Sequence, residues 1–413
     1  MLLITTLAIF ATSVDAALLP TVLPAILNSF GLSPTEGGLL NAIFYFGTIV
    51  GAIVFGIVAD AVGSGFRRTW TWICALTVSI IGGILTFVTA ASFTAFQGLR
   101  AVMGISRGAS EPVNVAMVSE WWQKENRGFA VGVHHTGFPL GQFFGPMMMA
   151  AILGALSWQH VYLIIPLIGI PIMVAQGLVG TRRNQHRVYE WIDEQGMTRP
   201  LPDIGERGRV QNPWPLVRVV LRDHNVRYSV IMNFLFLWAE LGVATFITLH
   251  LTTLAHMSLA QAALVSGASG LTGWIGQVGW GTLSDRSGRK LALRIIITGW
   301  IIAVLLMPLI HSAATAWAIL LFWGLFRNSS YPVNYSLLID SVPAAAGSAM
   351  GFMIGISFGL AGLLVAPFAG FIITTWGFTA DYVMLAISVA LAFIPLALAK
   401  ETVRRRLRSA QQG

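Results

Sequence analysis

The chain has 413 residues, of which 55% are hydrophobic and only 10% are charged, and its net charge is +8. Soluble domains carry roughly 25% charged residues, so this composition excludes a soluble globular protein. The single cysteine, Cys74, excludes a disulfide framework and a cysteine-built metal site.

Apolar runs recur along the whole chain, and runs of about 20 residues can cross the ~30 Å hydrocarbon core of a bilayer as helices. The sequence predicts an all-α membrane protein with twelve transmembrane helices, called spans 1 to 12. They cover residues 2–28, 36–59, 69–91, 93–119, 127–154, 160–179, 227–252, 259–282, 291–311, 313–339, 347–375 and 379–399.

The spans fall into two groups of six on either side of one polar connector. The predicted domains are an N-terminal bundle at 1–180, a cytoplasmic connector at 181–226, a C-terminal bundle at 227–400 and a basic tail at 401–413. Of the 25 Lys and Arg residues, 22 fall at the connections after spans 2, 4, 6 and 8 or in the tail. The positive-inside rule therefore places both termini and the connector in the cytoplasm. The basic residues report orientation, so no nucleic-acid partner is expected.

The first residues could instead be a signal peptide. A basic start is missing, however, and the apolar run continues to Phe30. A membrane span is therefore the favoured interpretation of the start.

The two halves of the chain repeat each other. GIVAD at 56–60 matches GTLSD at 281–285 with an offset of 225, and RGASEPVN at 107–114 matches RNSSYPVN at 327–334 with an offset of 220. A duplication of this kind predicts two six-helix bundles related by a pseudo-two-fold axis along the membrane normal.

The stretch GTLSDRSGRK at 281–290 resembles the signature loop of the major facilitator superfamily. Together with the twelve spans, the repeat and the connector, the resemblance covers the whole chain. It implies the major facilitator fold, in which the loops after helices 2 and 8 help to close the cytoplasmic face. The gate residues that it implies are Gly56, Asp60, Arg67, Gly281, Asp285, Gly288, Arg289 and Lys290.

Four ionisable residues occupy symmetric places in the membrane, Asp15 and Arg107 in one half and Glu240 and Arg327 in the other. A charge at bilayer depth costs at least about 3 kcal/mol, so each needs a partner or a function. In major facilitators the first and fourth helices of each half line the central cavity, and these four residues lie on those helices. Arg327 has no acid beside it in its own helix. Since arginine can hold a carboxylate by two hydrogen bonds, we expect Arg107 and Arg327 to bind an anionic substrate.

Carboxylic acids near those arginines can couple transport to protons. Burial favours the protonated acid and a neighbouring arginine favours the ionised form, which makes Asp15 and Glu240 the candidates. Arg100 resembles the arginine that holds the helix 1 acid in proton-coupled branches of the superfamily. With Glu111, which lies four residues after Arg107, Arg100 completes the predicted proton-coupling set. Glu111 could instead neutralise Arg107 within the helix. The alternative for all these acids is a permanent structural ion pair.

Further candidates for substrate binding are aromatic and amide side chains near the charged positions. Asn334 lies seven residues from Arg327, on the same helical stripe, and is expected to face the cavity. The full set is Tyr45, Asn114, His135, Trp238, Tyr331 and Asn334. Many of the 14 Trp residues are expected to be interfacial anchors or packing residues, and the histidines can be satisfied by neighbours.

Within the superfamily the chain most resembles the anion:cation symporter group, through Asp15 and the stretch RAVMGISRGASEP at 100–112. Those relatives place a glutamate seven residues after the first arginine of helix 4, where this chain has Arg107. The predicted function is proton-coupled uptake of a small organic anion, a carboxylate, by alternating access.

Several alternatives remain open. A proton-driven exporter of drugs or metabolites is suggested by Gly141 and Gly145-Pro146, and a nutrient sensor that does not transport is a further possibility. Phosphate loops, paired metal ligands and nucleophile elbows are missing from the sequence, so we expect no enzyme, no cofactor and no metal. The expected partners are the anion, protons or sodium, and the lipid of a bacterial inner membrane, with the protein acting as a monomer.

Overall fold

The structure is a computed structural model, which describes residues 1–89, 92–123, 130, 133–201, 222–342 and 346–402. It is 87% helical. The described residues contain no strand.

Each of spans 1 to 6 contains helix. Two of them are divided where a proline three residues further on removes a backbone hydrogen bond: span 1 at Ala17, before Pro20, and span 6 at Ile168, before Pro171. The helices are Leu2–Ala16 and Leu18–Phe30 in span 1, Pro34–Val62 in span 2, Arg68–Val88 in span 3, Phe93–Trp121 in span 4, Gly137–Leu153 in span 5, and Trp158–Leu167 and Gly169–Val179 in span 6.

The connector begins with a helix, and spans 7 to 12 follow. The helices of spans 11 and 12 follow each other directly, and Gly377, with a φ of 82° and a ψ of 176°, forms the kink between them. The helices are Arg182–Glu194 in the connector, His224–Thr253 in span 7, Leu259–Ser266 and Ala268–Ser287 in span 8, Arg289–Leu306 in span 9, Ala313–Arg327 and Ser330–Ser341 in span 10, and Ala346–Leu391 and Phe393–Leu398 in spans 11 and 12.

Seven stretches of the described residues are long and apolar enough to cross a membrane, judged by length and composition alone. The last of them, Gly355–Leu398, has 44 residues and contains the break at Gly377. Large apolar side chains are exposed on the helices, for example Leu178 at 71% and Val88 at 70%. An exposed apolar surface of this extent is suited to lipid, and the chain is an integral, multi-pass membrane protein.

The chain divides into two compact units. The first consists of Met1–Gly31 and Leu40–Gln211, and the second of Leu32–Leu39 and Asn212–Gly413. The domain boundaries predicted from the sequence stay a prediction.

In the first unit, spans 2 and 4 cross in close contact through glycines. A Cβ placed on Gly104 would lie 2.0 Å from the Phe44 carbonyl oxygen, and one on Gly51 would lie 2.0 Å from the Ile105 carbonyl oxygen. Small residues let membrane helices approach to backbone contact, where packing replaces the hydrophobic effect as the source of association.

The second unit repeats this crossing between spans 8 and 10. A Cβ on Gly324 would lie 2.3 Å from the Ser269 carbonyl oxygen, and one on Gly276 would lie 2.2 Å from that of Leu325. Gly276 corresponds to Gly51 at the first offset of the sequence repeat, and Gly324 corresponds to Gly104 at the second. The sequence repeat is therefore also a repeat of helix packing.

The connector helix packs against the end of span 4 and the loop after span 2. The Tyr189 hydroxyl donates to the Glu120 carbonyl oxygen at 2.8 Å, and Gln185 Oε1 accepts from the Phe66 amide at 2.9 Å. The Glu120 carboxylate in turn accepts from Arg68 Nε at 2.9 Å. Burial raises the pKa of Tyr189 to about 12, so the hydroxyl that anchors the helix stays neutral at ordinary pH.

Candidate functional site

A charge centre lies inside the second unit, where span 7 meets spans 8 and 10. Glu240 Oε1 accepts from Arg327 Nε at 2.9 Å, and the Tyr331 hydroxyl donates to the other carboxylate oxygen. Arg327 Nη1 donates to Ser269 Oγ at 2.8 Å, and the guanidinium carbon lies 4.7 Å from the centroid of the Trp323 ring. The acid thus receives a cation and a hydroxyl, and the cation is also held by a second hydroxyl and an aromatic face.

This centre is buried, with Glu240 5% and Arg327 8% exposed. Arg327 has no acid in its own helix, and the acid that neutralises it, Glu240, comes from span 7. A buried pair of this kind is expensive to break, since the remaining charge is left without its counterion. An anion that binds Arg327 has to compete with Glu240.

The matching centre in the first unit is arranged differently. Asp15 is 8% exposed, and its Oδ2 accepts from Ser79 Oγ on span 3 at 3.0 Å. Arg100 and Arg107 are both close enough to interact electrostatically with Asp15. Arg100 is fully buried, with its guanidinium carbon 4.4 Å from the centroid of the Phe44 ring. Two arginines on span 4 therefore interact electrostatically with one acid on span 1.

Asp15 and Arg107 line a common cavity within this unit. The cavity is small, with room for about one or two water molecules. The polar part of its wall also includes hydroxyls from spans 1, 3 and 4, namely Thr12, Ser79, Ser106 and Ser110. The cavity is therefore large enough for water to lie beside the acid and the arginine.

His135 and Arg107 both contact the aromatic ring of Phe138. The His135 ring stacks on Phe138 with centroids 5.9 Å apart, and the Arg107 guanidinium carbon lies 5.5 Å from that ring's centroid. Tyr45 is buried and packs edge-on against Phe44. The structure thus brings His135 near Arg107, whereas Tyr45 lies beside the ring that Arg100 contacts.

Other predicted binding residues are part of the helix packing. Asn334 is fully buried and donates to the Ser229 carbonyl oxygen at 2.9 Å, and its place at the substrate cavity stays a prediction. Asn114, its partner in the repeat, is also fully buried. The Trp238 indole donates to Met384 Sδ at 3.3 Å. Trp238 lies two residues from Glu240 and therefore points about 200° away from it around the helix.

The predicted gate residues lie at the ends of spans 2 and 8 and the start of span 9. Gly288 has a φ of 100°, a left-handed turn that favours glycine, and the Arg289 and Lys290 amides that follow donate to the Glu401 carboxylate at 3.0 and 2.9 Å. Arg289 Nε also lies 3.5 Å from Asp340 Oδ2. These contacts close the loop onto its own unit.

In the first copy of this loop, Arg68 forms the ion pair with Glu120, and its neighbour Arg67 lies over the Phe66 ring. Gly281 lies within the second helix of span 8. Gly56 lies in the helix of span 2. Three further predicted residues lie in helices, but their side chains are outside the described part of the structure: Asp60, Glu111 and Asp285.

Sequence reasoning missed one buried acid, Asp381. It is 1% exposed, and neither carboxylate oxygen has a hydrogen-bond partner among the residues that the structure describes. The predicted span 12 begins at 379, so the sequence places Asp381 in its first turn and not among the charges inside the membrane. In the sequence, the position of Asp381 directly before an apolar run is the signal that this acid could be buried.

The family model for the Major Facilitator Superfamily matches residues 5–356 and 229–413. This chain belongs to the Major Facilitator Superfamily. The predicted fold class is confirmed, and the protein is a transporter and not an enzyme.

Solved structures agree with this major facilitator fold. A bacterial homologue of the human lysosomal transporter Spinster, inward-facing and occupied, has a TM-score of 0.72 at 16% identity, over 96% of this chain and 95% of the other. The xylose transporter XylE from E. coli has a TM-score of 0.73 at 16% identity, over 97% and 98%. At this identity the likeness shows the fold alone.

Curated relatives of this major facilitator carry the names of anion transporters. It is 24% identical to the probable sulfoacetate transporter SauU of Cupriavidus necator, over 89% of this chain and 85% of the relative. It is 23% identical to the probable galactarate/D-glucarate transporter GudP of Escherichia coli, over 85% and 81%. A 23% identity to the benzoate transport protein of Acinetobacter baylyi covers 42% and 36%.

Proposed function

We propose that this major facilitator is a proton-coupled importer of a small organic anion in a bacterial inner membrane. Arg107 and Arg327 bind the anion, and Asp15 and Glu240 take up the protons. The observation that carries the proposal is a buried acid beside an arginine at symmetric positions in both bundles. The names of the relatives, which are transporters of sulfoacetate, galactarate or glucarate, and benzoate, support an anionic substrate.

The coupling of anion to proton transport follows from competition between the substrate carboxylate and Glu240 for Arg327. A substrate carboxylate that forms a two-pronged pair with Arg327 displaces Glu240 from the guanidinium. Glu240 then keeps the Tyr331 hydroxyl but loses its counterion, and a buried ionised carboxylate without a counterion is costly. Taking up a proton removes that cost, so the anion and the proton are bound together. Release of the anion returns Arg327 to Glu240 and expels the proton.

In the first bundle, Asp15 is the second proton site and Arg107 the second anion-binding residue. Asp15 accepts a hydrogen bond from Ser79 and lies near two arginines. When one of these arginines binds the substrate, Asp15 loses part of its positive surroundings, which favours its protonation as at Glu240. Water in the shared cavity can supply the proton.

A thermal-stability screen of the purified protein tests the anion site. Sulfoacetate, D-glucarate, benzoate, neutral sugars and cationic drugs are compared on the wild type, Arg327→Ala and a matched control, Arg294→Ala, which removes an exposed arginine of the same unit. We expect one acid class to raise the apparent Tm of the wild type and the control but not of Arg327→Ala. A shift from acids that survives in Arg327→Ala would make Arg327 structural.

The same screen separates uptake of anions from export of drugs. Gly141 of the exporter-like motif packs against span 1, where a Cβ would lie 2.5 Å from Ser13 Cβ. This close contact accounts for the glycine by packing alone. Stabilisation by cationic drugs, and not by acids, would favour the exporter.

The orientation and the oligomeric state belong to the same proposal. The distribution of Lys and Arg supports cytoplasmic termini, and we infer a monomer, since each bundle carries its own charge centre. Accessibility of single cysteines introduced near each terminus, in intact cells and in inside-out vesicles, tests the orientation.

A further inference from the structure

A line of polar side chains continues from Glu240 towards the connector side of the second unit, along the contact between spans 7 and 10. On span 7 these residues precede Glu240 in the sequence, at successive spacings of seven, four and four residues. At this helical spacing they share one stripe of the helix surface with Glu240. We call the set the polar ladder: Asn225, Ser229 and Asn233 on span 7, and Ser330, Asn334 and Ser341 on span 10.

The middle of the polar ladder is fully buried and incompletely hydrogen-bonded. Ser229, Asn233, Ser330 and Asn334 are all 0% exposed. Ser229 Oγ, Ser330 Oγ, Asn334 Oδ1 and both polar atoms of the Asn233 amide have no hydrogen-bond partner among the described residues. Leaving such an atom without a partner costs about 1–3 kcal/mol, and buried polar groups without any partner are rare.

The chemistry of these atoms identifies what can satisfy them. The Asn233 NH₂ group needs an acceptor, the two amide oxygens need donors, and the hydroxyls can do either. A bare cation would satisfy only the oxygens. Water both donates and accepts, so ordered water is the ligand that suits the whole set.

The internal repeat shows that the fold does not require polar residues at two of the span 7 positions. The positions of Ser229 and Asn233 correspond, at the first offset of the repeat, to Ile4 and Ala8 of span 1. Ala8 belongs to a hydrophobic cluster that includes Met117, with Ile4 packed against it. The first unit thus fills these two positions with apolar side chains, whereas Ser330 and Asn334 correspond, at the second offset, to the buried Ser110 and Asn114. The span 7 side of the polar ladder is therefore a property of the second unit.

The polar ladder reaches the end of the bundle. Asn225 lies about four helical turns from Glu240, which at 1.5 Å per residue is about 22 Å, more than half of a ~30 Å hydrocarbon core. At that end Asn225 Nδ2 donates to Ser341 Oγ at 2.9 Å, and Asn225 Oδ1 accepts from the Lys400 amide at 2.7 Å. The polar ladder therefore links the charge centre to the surface on the connector side.

We propose that the polar ladder holds a chain of ordered waters that carries the proton between Glu240 and the connector side. This inference rests on the proposed proton coupling. In the releasing step the O–H bond of the Glu240 carboxyl breaks, its proton passes to the first water, and each water passes one proton onward. The resulting carboxylate returns to Arg327 and Tyr331. No side chain of the ladder changes its charge.

The functional test is Asn233→Leu, which removes both unpartnered amide atoms at similar size. The matched control is Ser357→Ala, since Ser357 is equally buried but its hydroxyl already donates to the Val230 carbonyl oxygen at 3.1 Å. Vesicles with internal pyranine report proton entry when sulfoacetate, D-glucarate or benzoate is added. We expect Asn233→Leu to lose most proton entry and pH-driven uptake but to keep exchange of the labelled anion across equal pH, whereas the control behaves like the wild type.

The results separate failure of this inference from failure of the proposed function. Wild-type vesicles that take up anion without proton entry would refute the proton coupling itself. Proton entry at the wild-type rate in Asn233→Leu would overturn the polar ladder as a proton path while leaving the coupling intact. If Asn233→Leu does not fold, Asn233→Ala, which copies Ala8, is compared with Asn233→Ser; equal proton entry in these two variants also overturns it.

The water itself can be detected without transport. Met353 is 0% exposed, and its Sδ lies 3.9 Å from Asn334 Nδ2, whereas Met149 is equally buried in span 5. Hydroxyl radicals made from bound water by X-ray radiolysis oxidise a methionine beside that water. We expect oxidation of Met353 to exceed that of Met149 and to fall in Asn233→Leu. Equal protection of the two methionines in the wild type would overturn the inference.

Discussion

The Glu240–Arg327 pair allows a quantitative test of the second charge centre. Arg327→Met removes the cation but keeps a long apolar side chain beside Trp323. Glu240→Gln removes the negative charge and keeps the shape of the acid. The double variant removes both charges, so the three proteins and the wild type form a double-mutant cycle.

The expected magnitude comes from burial. Both side chains of the pair are buried, since 9% of the Arg327 side chain and 6% of the Glu240 side chain are exposed. Removing one partner of a buried pair costs about 3–5 kcal/mol, whereas replacing both by neutral groups is often close to neutral. At roughly 2–4 °C per kcal/mol for a unit of this size, Arg327→Met should lower the apparent Tm by about 6 °C or more. The double variant should recover most of that loss.

The assay is thermal unfolding in detergent at pH 7.5, at one scan rate for all four proteins, since membrane proteins often unfold irreversibly. Ser269→Ala, which removes only the hydroxyl that accepts from Arg327, is the control for a single lost hydrogen bond and should cost much less. A double variant no more stable than Arg327→Met would show that the uncompensated acid is not the cause, and the argument from burial would be refuted.

Three further outcomes are expected. Gly104→Ala should prevent folding or lower the apparent Tm strongly, because its Cβ would lie 2.0 Å from the Phe44 carbonyl oxygen. Gly98→Ala on the same helix, where a Cβ would meet nothing within 4 Å, should be neutral or stabilising. Equal effects of the two substitutions would contradict this packing. The buried Tyr189 has a pKa raised from 10.0 to about 12, so its contribution to stability should be complete below pH 10 and lost as the pH rises towards 12. In ultraviolet titrations, the difference between the wild type and Tyr189→Phe should be one tyrosine that ionises near pH 12. A midpoint near 10 for that tyrosine would contradict the prediction. Asp15→Asn should abolish uphill uptake in vesicles but spare exchange, and unchanged uphill uptake would remove Asp15 from the coupling.

The spans and the repeat could be predicted from the sequence because both depend on local properties of the chain. A bilayer requires about 20 apolar residues in each helix, and helix occupies all twelve predicted spans. The two offsets of the repeat, found from short motifs, also relate the glycines at the two helix crossings. The four ionisable residues stood out because charges are rare at bilayer depth.

The partners of those charges could not be predicted, because they depend on the rotation and the depth of one helix against another. Arg327 lacks an acid in its own helix, and only the packing of span 7 against span 10 brings Glu240 to it. The same packing buries Asn334 against the backbone of span 7, and the packing of span 1 against span 3 gives Asp15 its partner Ser79. In the sequence, Ser229, Asn233, Ser330 and Asn334 are separate polar positions within two predicted spans, and Asn225 and Ser341 lie just outside those spans. Because membrane helices associate by side-chain fit and hydrogen bonds, the tertiary structure alone decided which of these positions meet.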